Sequence, residues 1–346
     1  MNNPYSSLRK EAFWKTAVAQ KHFSEISNLW KPRFKLEKDS KVSSYGSCFA
    51  QHIGKSLRKN GYSWFITEPR PKGIAPEEVI EFSYDVFSSR TGNIYTSSLL
   101  LQWVDWALGF RDLSECDDVF WTTDGGRFID PFRPKIEPNG FQSIEELLLS
   151  RRQSVSSFGR SLKESDFFIF TMGLIEGWQD INGYEYPMCP GTAGGVFDEQ
   201  SHLFFKHDVD AVLEKMREVL NKIKNVNEGI KCILTVSPVP LTATKSDAHV
   251  VVATMESKSI LRAAAAKLFD EYNSFLDYFP SYEIINSPAF QGVWFEPNMR
   301  SVSPLGVEFV MKNFIGALNL DKDFVAATRE HETICEEQIL SAFISK

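Results

Sequence analysis

Disulfide spacing, metal-ligand spacing, membrane-length apolar runs and a surplus of positive charge are all missing from this 346-residue sequence. Its five cysteines (Cys48, Cys116, Cys189, Cys232, Cys335) are scattered and contain no CxxC pair, which excludes a disulfide scaffold and a zinc-type cluster. Lys and Arg number 38 against 45 Asp and Glu, so the net charge of −7 gives no basic surface to attract nucleic acid or anionic lipid. The longest apolar runs, such as Phe167 to Ile175, reach only about half a membrane span. The start, Met1-Asn2-Asn3-Pro4-Tyr5-Ser6-Ser7-Leu8-Arg9-Lys10, lacks the apolar stretch of a signal peptide. These absences predict a soluble protein of a reducing cytoplasm, with no membrane span, no nucleic-acid partner, no metal and no cofactor. Histidine is scarce too, at six residues, which narrows the choice of general base.

What is present is globular. Hydrophobic residues make up 43% and charged residues 24%, enough apolar material for a sizeable core. Aromatics are plentiful, at 28 Phe, 10 Tyr and 8 Trp, and can serve either a core or a sugar-lining groove. Strand-like runs at Val42–Tyr45, Tyr62–Thr67, Phe167–Thr171, Cys232–Val236 and Tyr282–Ile285 alternate with helical stripes. The helices fall at Phe49–Asn60, from Asp208 onward, over about 249–272 and from Pro304 to Leu318. Such alternation predicts an α/β fold with a mostly parallel, five-stranded sheet and helices on both faces. No linker or repeat divides the chain. The expectation is one elaborated domain over 1–320, with a turn-rich insertion at about 92–165 covering one sheet edge, and a charged helical tail over 321–346 packed on it. Oligomeric state is not set by the sequence.

In open α/β sheets ligands sit at the carboxyl ends of the strands. That rule singles out Gly46-Ser47-Cys48, Thr171–Trp178, Ser237–Thr244, Ser287–Ser303 and the loop Arg90–Tyr95. Gly46-Ser47-Cys48-Phe49-Ala50 is the sharpest of these, because it places a hydroxyl and a thiol where a strand turns into a helix. Backbone N–H groups and the helix dipole there favour an oxyanion or a thiolate. The plainer reading is a serine that caps the helix beside a small buried cysteine.

The same segment resembles the name-giving motif of the GSCFA family. So do Asn3-Pro4-Tyr5, Gly92-Asn93-Ile94-Tyr95-Thr96, Gly173-Leu174-Ile175-Glu176-Gly177-Trp178, Cys189-Pro190-Gly191-Thr192, Ser237–Thr244 and Arg300-Ser301-Val302-Ser303-Pro304. That family looks like a branch of the SGNH (GDSL-like) hydrolases, which implies a flavodoxin-like three-layer α/β/α sandwich. It also implies esterase or O-acyltransferase chemistry on carbohydrates. By this resemblance Cys48 takes the nucleophile position and Ser47 the aspartate position, or Ser47 is the nucleophile if the turn is shifted by one residue. Gly92 is the oxyanion glycine, with Asn93 adjacent, and Gly173-Leu174-Ile175-Glu176 stands for Gly-x-Asn-Asp. Ile175 cannot supply the usual asparagine donor, which leaves Glu176 as the polar residue of that loop. The Asp-x-x-His block before the last helix reads Glu296 to Pro304 here, without histidine. The only later histidine, His331, lies in the charged tail with Thr328.

A nucleophile needs a base. His22, His202 and His207 are expected far from the strand ends, and His52 rides the helix behind Cys48. His249 follows the Ser237–Thr244 loop and is the chosen base, its rival role being to cap the long helix. Glu176 either orients His249 or hydrogen-bonds the loop backbone. Trp178 and Arg300 are candidates for holding a sugar ring and an acidic group. Gly54-Lys55-Ser56 fails as a phosphate loop because Phe49 occupies a position that motif requires to be glycine. The expected function is an esterase or O-acyltransferase acting on an O-acetyl group of a bacterial polysaccharide or its precursor. Acetyl-CoA would be the available donor, although the sequence carries no signature for it. The alternative is a glycan-binding or assembly protein that kept the fold and lost the base.

Overall fold

The computed structural model describes residues 3–318 and 336–343. In chain order its elements are β1 (Val42–Gly46), α1 (Ala50–Lys59), α2 (Pro76–Glu81), α3 (Ser97–Leu108), β2 (Trp121–Thr122), β3 (Phe128–Ile129) and α4 (Ile144–Glu164). They continue with β4 (Phe167–Met172), β5 (Glu176–Asp180), β6 (Glu185–Tyr186), β7 (His202–Lys206), α5 (Val209–Val226) and β8 (Lys231–Val236). The last are α6 (Val250–Glu271), β9 (Leu276–Phe279), α7 (Ser281–Asn286) and α8 (Pro304–Leu318), before 3₁₀ turns over Glu336–Phe343.

The central sheet has the order β1-β4-β8-β9, and every neighbouring pair is parallel. Alternation along β4 sorts its residues between two cores. Phe168, Phe170 and Met172 pack with residues of α3, α4, α5 and α6. Phe167 and Ile169 pack on the other face with α1, α7, α8 and the N-terminal Ile26 and Trp30. The strands are buried throughout, as expected of a parallel sheet covered on both sides. The result is three layers, helices–sheet–helices. No helix among the described residues is long and apolar enough to cross a membrane.

The sheet has four strands where the sequence predicts five. Tyr62–Thr67 makes one parallel bridge, Trp64 to Val42, and then leaves. The open edge of β1 is covered in pieces instead. Phe65 N–H donates to Val42 O at 2.8 Å, Ser44 N–H donates to Ser88 Oγ at 3.0 Å, and Ile94 N–H donates to Gly46 O at 2.9 Å. Those pieces satisfy the edge without a continuous strand. The second correction concerns Tyr282–Ile285, which lies in α7 rather than in a strand. Ile284 and Ile285 look β-like in sequence, yet both are buried on one side of a short helix, while β9 occupies the preceding residues.

The segment read as a turn-rich insertion carries two long helices, α3 and α4, which supply part of one layer. An antiparallel sheet of order β6-β5-β7 follows β4 and was not anticipated. The expected tail falls mostly outside the described residues, as do His331 and Thr328. Its described part forms 3₁₀ turns that bury Glu336 and Glu337.

Candidate functional site

The turn after β1 is set by Gly46, whose φ of +134° is open only to glycine. A Cβ there would lie 2.4 Å from Thr171 O. Ser47 N–H donates to that same oxygen at 3.1 Å, so the turn is clamped against β4. Ser47 and Cys48 are both buried. The helix that follows has no side-chain cap, and Ser47 Oγ has no hydrogen-bond partner among the described residues. The plain capping reading of Ser47 therefore fails. A buried hydroxyl left unpaired costs about 1–3 kcal/mol, which is tolerated where a site needs it.

Opposite stands the loop after β4. A Cβ on Gly173 would come 3.0 Å from Ser47 Cβ and 3.1 Å from Tyr95 O. The backbone N–H groups of Gly173 and Leu174 both donate to Tyr95 O, at 2.9 and 3.0 Å. This locks Gly173 to the loop that carries Gly92 and Asn93. Gly92 has φ +68°, and the buried Asn93 accepts at Oδ1 from Gln51 Nε2 at 3.5 Å. A buried chain of polar contacts holds that loop. Arg90 N–H reaches Glu68, Glu68 takes Ser154 Oγ, Ser154 takes Arg133, and Arg133 and Arg151 share Asp130. Ser47, Cys48, Gly92, Asn93 and Gly173 are thus gathered at one end of the sheet.

A residue missed in the sequence completes this end. Lys258 of α6 is buried, and its Nζ donates to Gly173 O at 2.7 Å. Burial lowers its pKa to about 8, opposed by the negative charge of Glu337 and of Cys48, with Arg300 adding to the lowering. Its signal was readable in principle. Lys258 sits among Ala253, Ser257, Leu261, Ala264, Ala265 and Leu268, the buried side of α6, where a lysine has no structural reason to be.

Other candidates are placed elsewhere or otherwise engaged. His249 is exposed and caps α6, its Nδ1 accepting from Val251 N–H at 3.2 Å, and Ser47 Oγ shares no hydrogen bond with it. Glu176 accepts from Thr244 Oγ1 at 3.0 Å and so fastens the Ser237–Thr244 loop, with burial raising its pKa. Trp178 lies on β5, edge-on to Phe197 and tilted against Phe204, inside an aromatic cluster. His52 is pushed down to about 3 by burial, with Lys55 adding to the effect, and its ring meets Phe49 edge-on. His207 is nearer the strand ends than expected. Its N–H donates to Ile175 O at 2.8 Å, and its Nε2 lies 2.8 Å from Ser98 Oγ.

Arg300, in the loop before α8, pairs with Glu337 at 3.2 Å. Thr242 N–H donates to the other oxygen of Glu337 at 3.1 Å. Burial pushes the Glu337 carboxyl up, against the opposing pull of Arg300, the Thr242 N–H and Lys258.

A family model, GSCFA, matches residues 41–314. The chain belongs to the GSCFA family. No curated protein matches it. The GSCFA match begins one residue before β1 and ends within α8, so it includes every strand of the central sheet and Ser47, Cys48, Gly92, Asn93, Gly173, Lys258 and Arg300. Glu336 and Glu337 lie beyond it.

Proposed function

We propose that this GSCFA protein is an SGNH-like esterase or O-acyltransferase acting on an O-acetyl group of a bacterial polysaccharide or its precursor. The observation that carries the reading is the buried Ser47 hydroxyl, without a hydrogen-bond partner among the described residues, beside Cys48 at the carboxyl end of β1 and against Gly173. Three layers around a parallel sheet, with the site at the strand ends, suit that superfamily.

In this reading Cys48 or Ser47 attacks the ester carbonyl, and the acyl carbon–oxygen bond to the sugar breaks. The proton moves from the nucleophile to Lys258, whose buried amine lies near neutrality, and on to the departing alkoxide. Water or a second sugar hydroxyl then attacks the acyl-enzyme and returns the nucleophile. Lys258 favours Cys48, because thiol and amine feel each other's charge and a lysine neighbour activates a thiol. Acetyl-CoA is the natural donor if the reaction is transfer.

The glycan-binding alternative has its own support. In the loop before α8, Asn298 and Ser301 have the spacing of the superfamily's Asp-x-x-His pair, and Asn298 Nδ2 donates to Ser301 Oγ at 3.0 Å. Neither can take a proton from a nucleophile. Labelling with a fluorophosphonate and with a thiol-reactive acyl probe separates the readings. The enzyme loses labelling in Cys48→Ala or in Ser47→Ala, and labels several-fold less in Lys258→Met. A protein that labels at neither position, yet binds glycans, is the binding module.

A further inference from the structure

We propose that Arg300, Lys258 and the Thr242 N–H form a subsite for a carboxylate-bearing ligand, and that Glu337 of the chain's own C-terminal segment occupies it as an internal surrogate. The inference shares the strand-end site with the function proposed above but does not need chemistry at Cys48 or Ser47.

The subsite is built from three separate parts of the core. Arg300 comes from the loop before α8, Lys258 from α6 and Thr242 from the loop after β8. Arg300 and Thr242 converge on one carboxyl group, with Arg300 Nη2 at 3.2 Å from one oxygen and Thr242 N at 3.1 Å from the other. Lys258 attracts the same group electrostatically. The Thr242 hydroxyl beside it is buried and has no hydrogen-bond partner among the described residues. An N–H and a guanidinium that donate to one carboxyl group, with an ammonium near enough to attract it, make an anion site, because a carboxylate oxygen accepts from both donors and the second cation adds favourable charge.

Position in the chain separates the site from its occupant. All three donors lie within the matched family domain, which ends at residue 314, whereas Glu337 lies outside it. Lys258 is almost wholly buried, and Arg300 is mostly so. If Glu337 withdrew, the Arg300 guanidinium would stand without its carboxylate in a poorly hydrated pocket, and Lys258 would lose the charge that most supports its ammonium, a state that is disfavoured without an anion. The pocket therefore calls for a carboxylate whichever molecule supplies it. Glu336, also buried, enters alongside, and its Oε1 would lie 3.4 Å from a Cβ on Gly92, so the segment covers the expected oxyanion glycine as well. An outside ligand with a carboxylate, such as an acidic sugar, meets the same donors and displaces the segment.

The test is calorimetric titration of the full-length chain with D-glucuronate, acetate and D-glucose, on wild type and on Glu337→Gln. Removing the internal competitor raises the fraction of open site, so Glu337→Gln binds glucuronate at least about tenfold more tightly than wild type does. Glucose binding stays unchanged, and adding Arg300→Gln to Glu337→Gln abolishes the gain. A gain shared by acetate assigns recognition to the carboxylate alone, and a gain confined to glucuronate assigns it to a sugar acid; both uphold the subsite. In wild type, saturating glucuronate speeds amide exchange over residues 336–343, a readout that does not depend on the variants folding. Equal glucuronate affinity in wild type and Glu337→Gln, an equal gain for glucose, or unaltered exchange in 336–343 overturns the proposal. Because these readouts are of binding, they fail separately from the labelling experiment above.

Discussion

Replacing Lys258 by methionine keeps the length of the side chain and removes its charge, and the structure predicts how stability then depends on pH. Lys258 titrates at about 8 in the folded protein against an ordinary 10.5, chiefly because it is buried. The folded state therefore disfavours the ammonium. Below about pH 8 the lysine is charged in both states, and the folded state carries the full penalty. Between pH 8 and 10.5 the unfolded chain holds more protons than the folded one, so stability rises with pH across that window. At 1.36 kcal/mol per pKa unit the whole gain is roughly 3 kcal/mol. Lys258→Met removes this dependence while leaving the other titrating groups in place. Urea denaturation of both proteins between about pH 7 and about pH 10 should show wild type gaining roughly 2–3 kcal/mol on the variant. Part of the ammonium's penalty is offset by its hydrogen bond to Gly173 O and by Glu337, so the variant's advantage at neutral pH is smaller than the full figure. A difference between the two proteins that stays flat over this range would refute a buried, titrating Lys258.

Four further outcomes follow from the same geometry. Gly46→Ala forces a left-handed φ and drives a Cβ to 2.4 Å from Thr171 O, so it should cost about 3 kcal/mol or more in denaturant midpoint, or prevent folding. Asp130→Asn leaves Arg133 and Arg151 sharing no carboxylate and should cost about 3–5 kcal/mol. Although burial opposes it, Arg151 and Arg133 hold the Asp130 carboxyl below its ordinary 3.8. Its contribution is thus complete above that value and is lost as pH falls through the lowered one, which acid unfolding of wild type and Asp130→Asn compares directly. Ser47→Ala removes a hydroxyl with no hydrogen-bond partner among the described residues, so stability should hold or rise, by up to about 1–3 kcal/mol, while any labelling that depends on Ser47 disappears. His249→Ala should lose about 1 kcal/mol of helix capping in urea denaturation, with labelling unchanged.

The helices α1, α5, α6 and α8 and the strands β1, β4 and β8 could be read from periodicity, because each is long or mostly buried, and most are bounded by Gly, Pro or Asp. The fifth strand could not. Tyr62–Thr67 has the right residue types, but its pairing is decided by Ser88 and Ile94, which lie far along the chain and complete the edge of β1. Ile284 and Ile285 look strand-like for a related reason, since a six-residue helix is too short to show its period.

At the site, Gly46, Ser47, Cys48, Gly92, Asn93 and Gly173 were legible as a group, because strand ends concentrate on one side of a parallel sheet. Residue type and chain position single out His249, but they do not show that its ring accepts from Val251 N–H at the start of its own helix. Lys258 falls on the apolar stripe of α6 set by Ala253, Leu261, Ala264, Ala265 and Leu268, and three-dimensional packing adds that this stripe brings it to the Gly173 loop. Glu337 lies beyond the family match and within a charged tail, so nothing local marked it as a group that enters the site.

The claim that acyl chemistry occurs at the turn after β1 is tested most directly by exposing the full-length protein to p-nitrophenyl acetate and mapping acetyl groups by peptide mass spectrometry. The account predicts a transient acetyl on the peptide containing Ser47 and Cys48, accumulating before turnover and missing when the attacking residue is replaced. Acetyl confined to surface lysines, or none on that peptide while the protein remains folded, would contradict it.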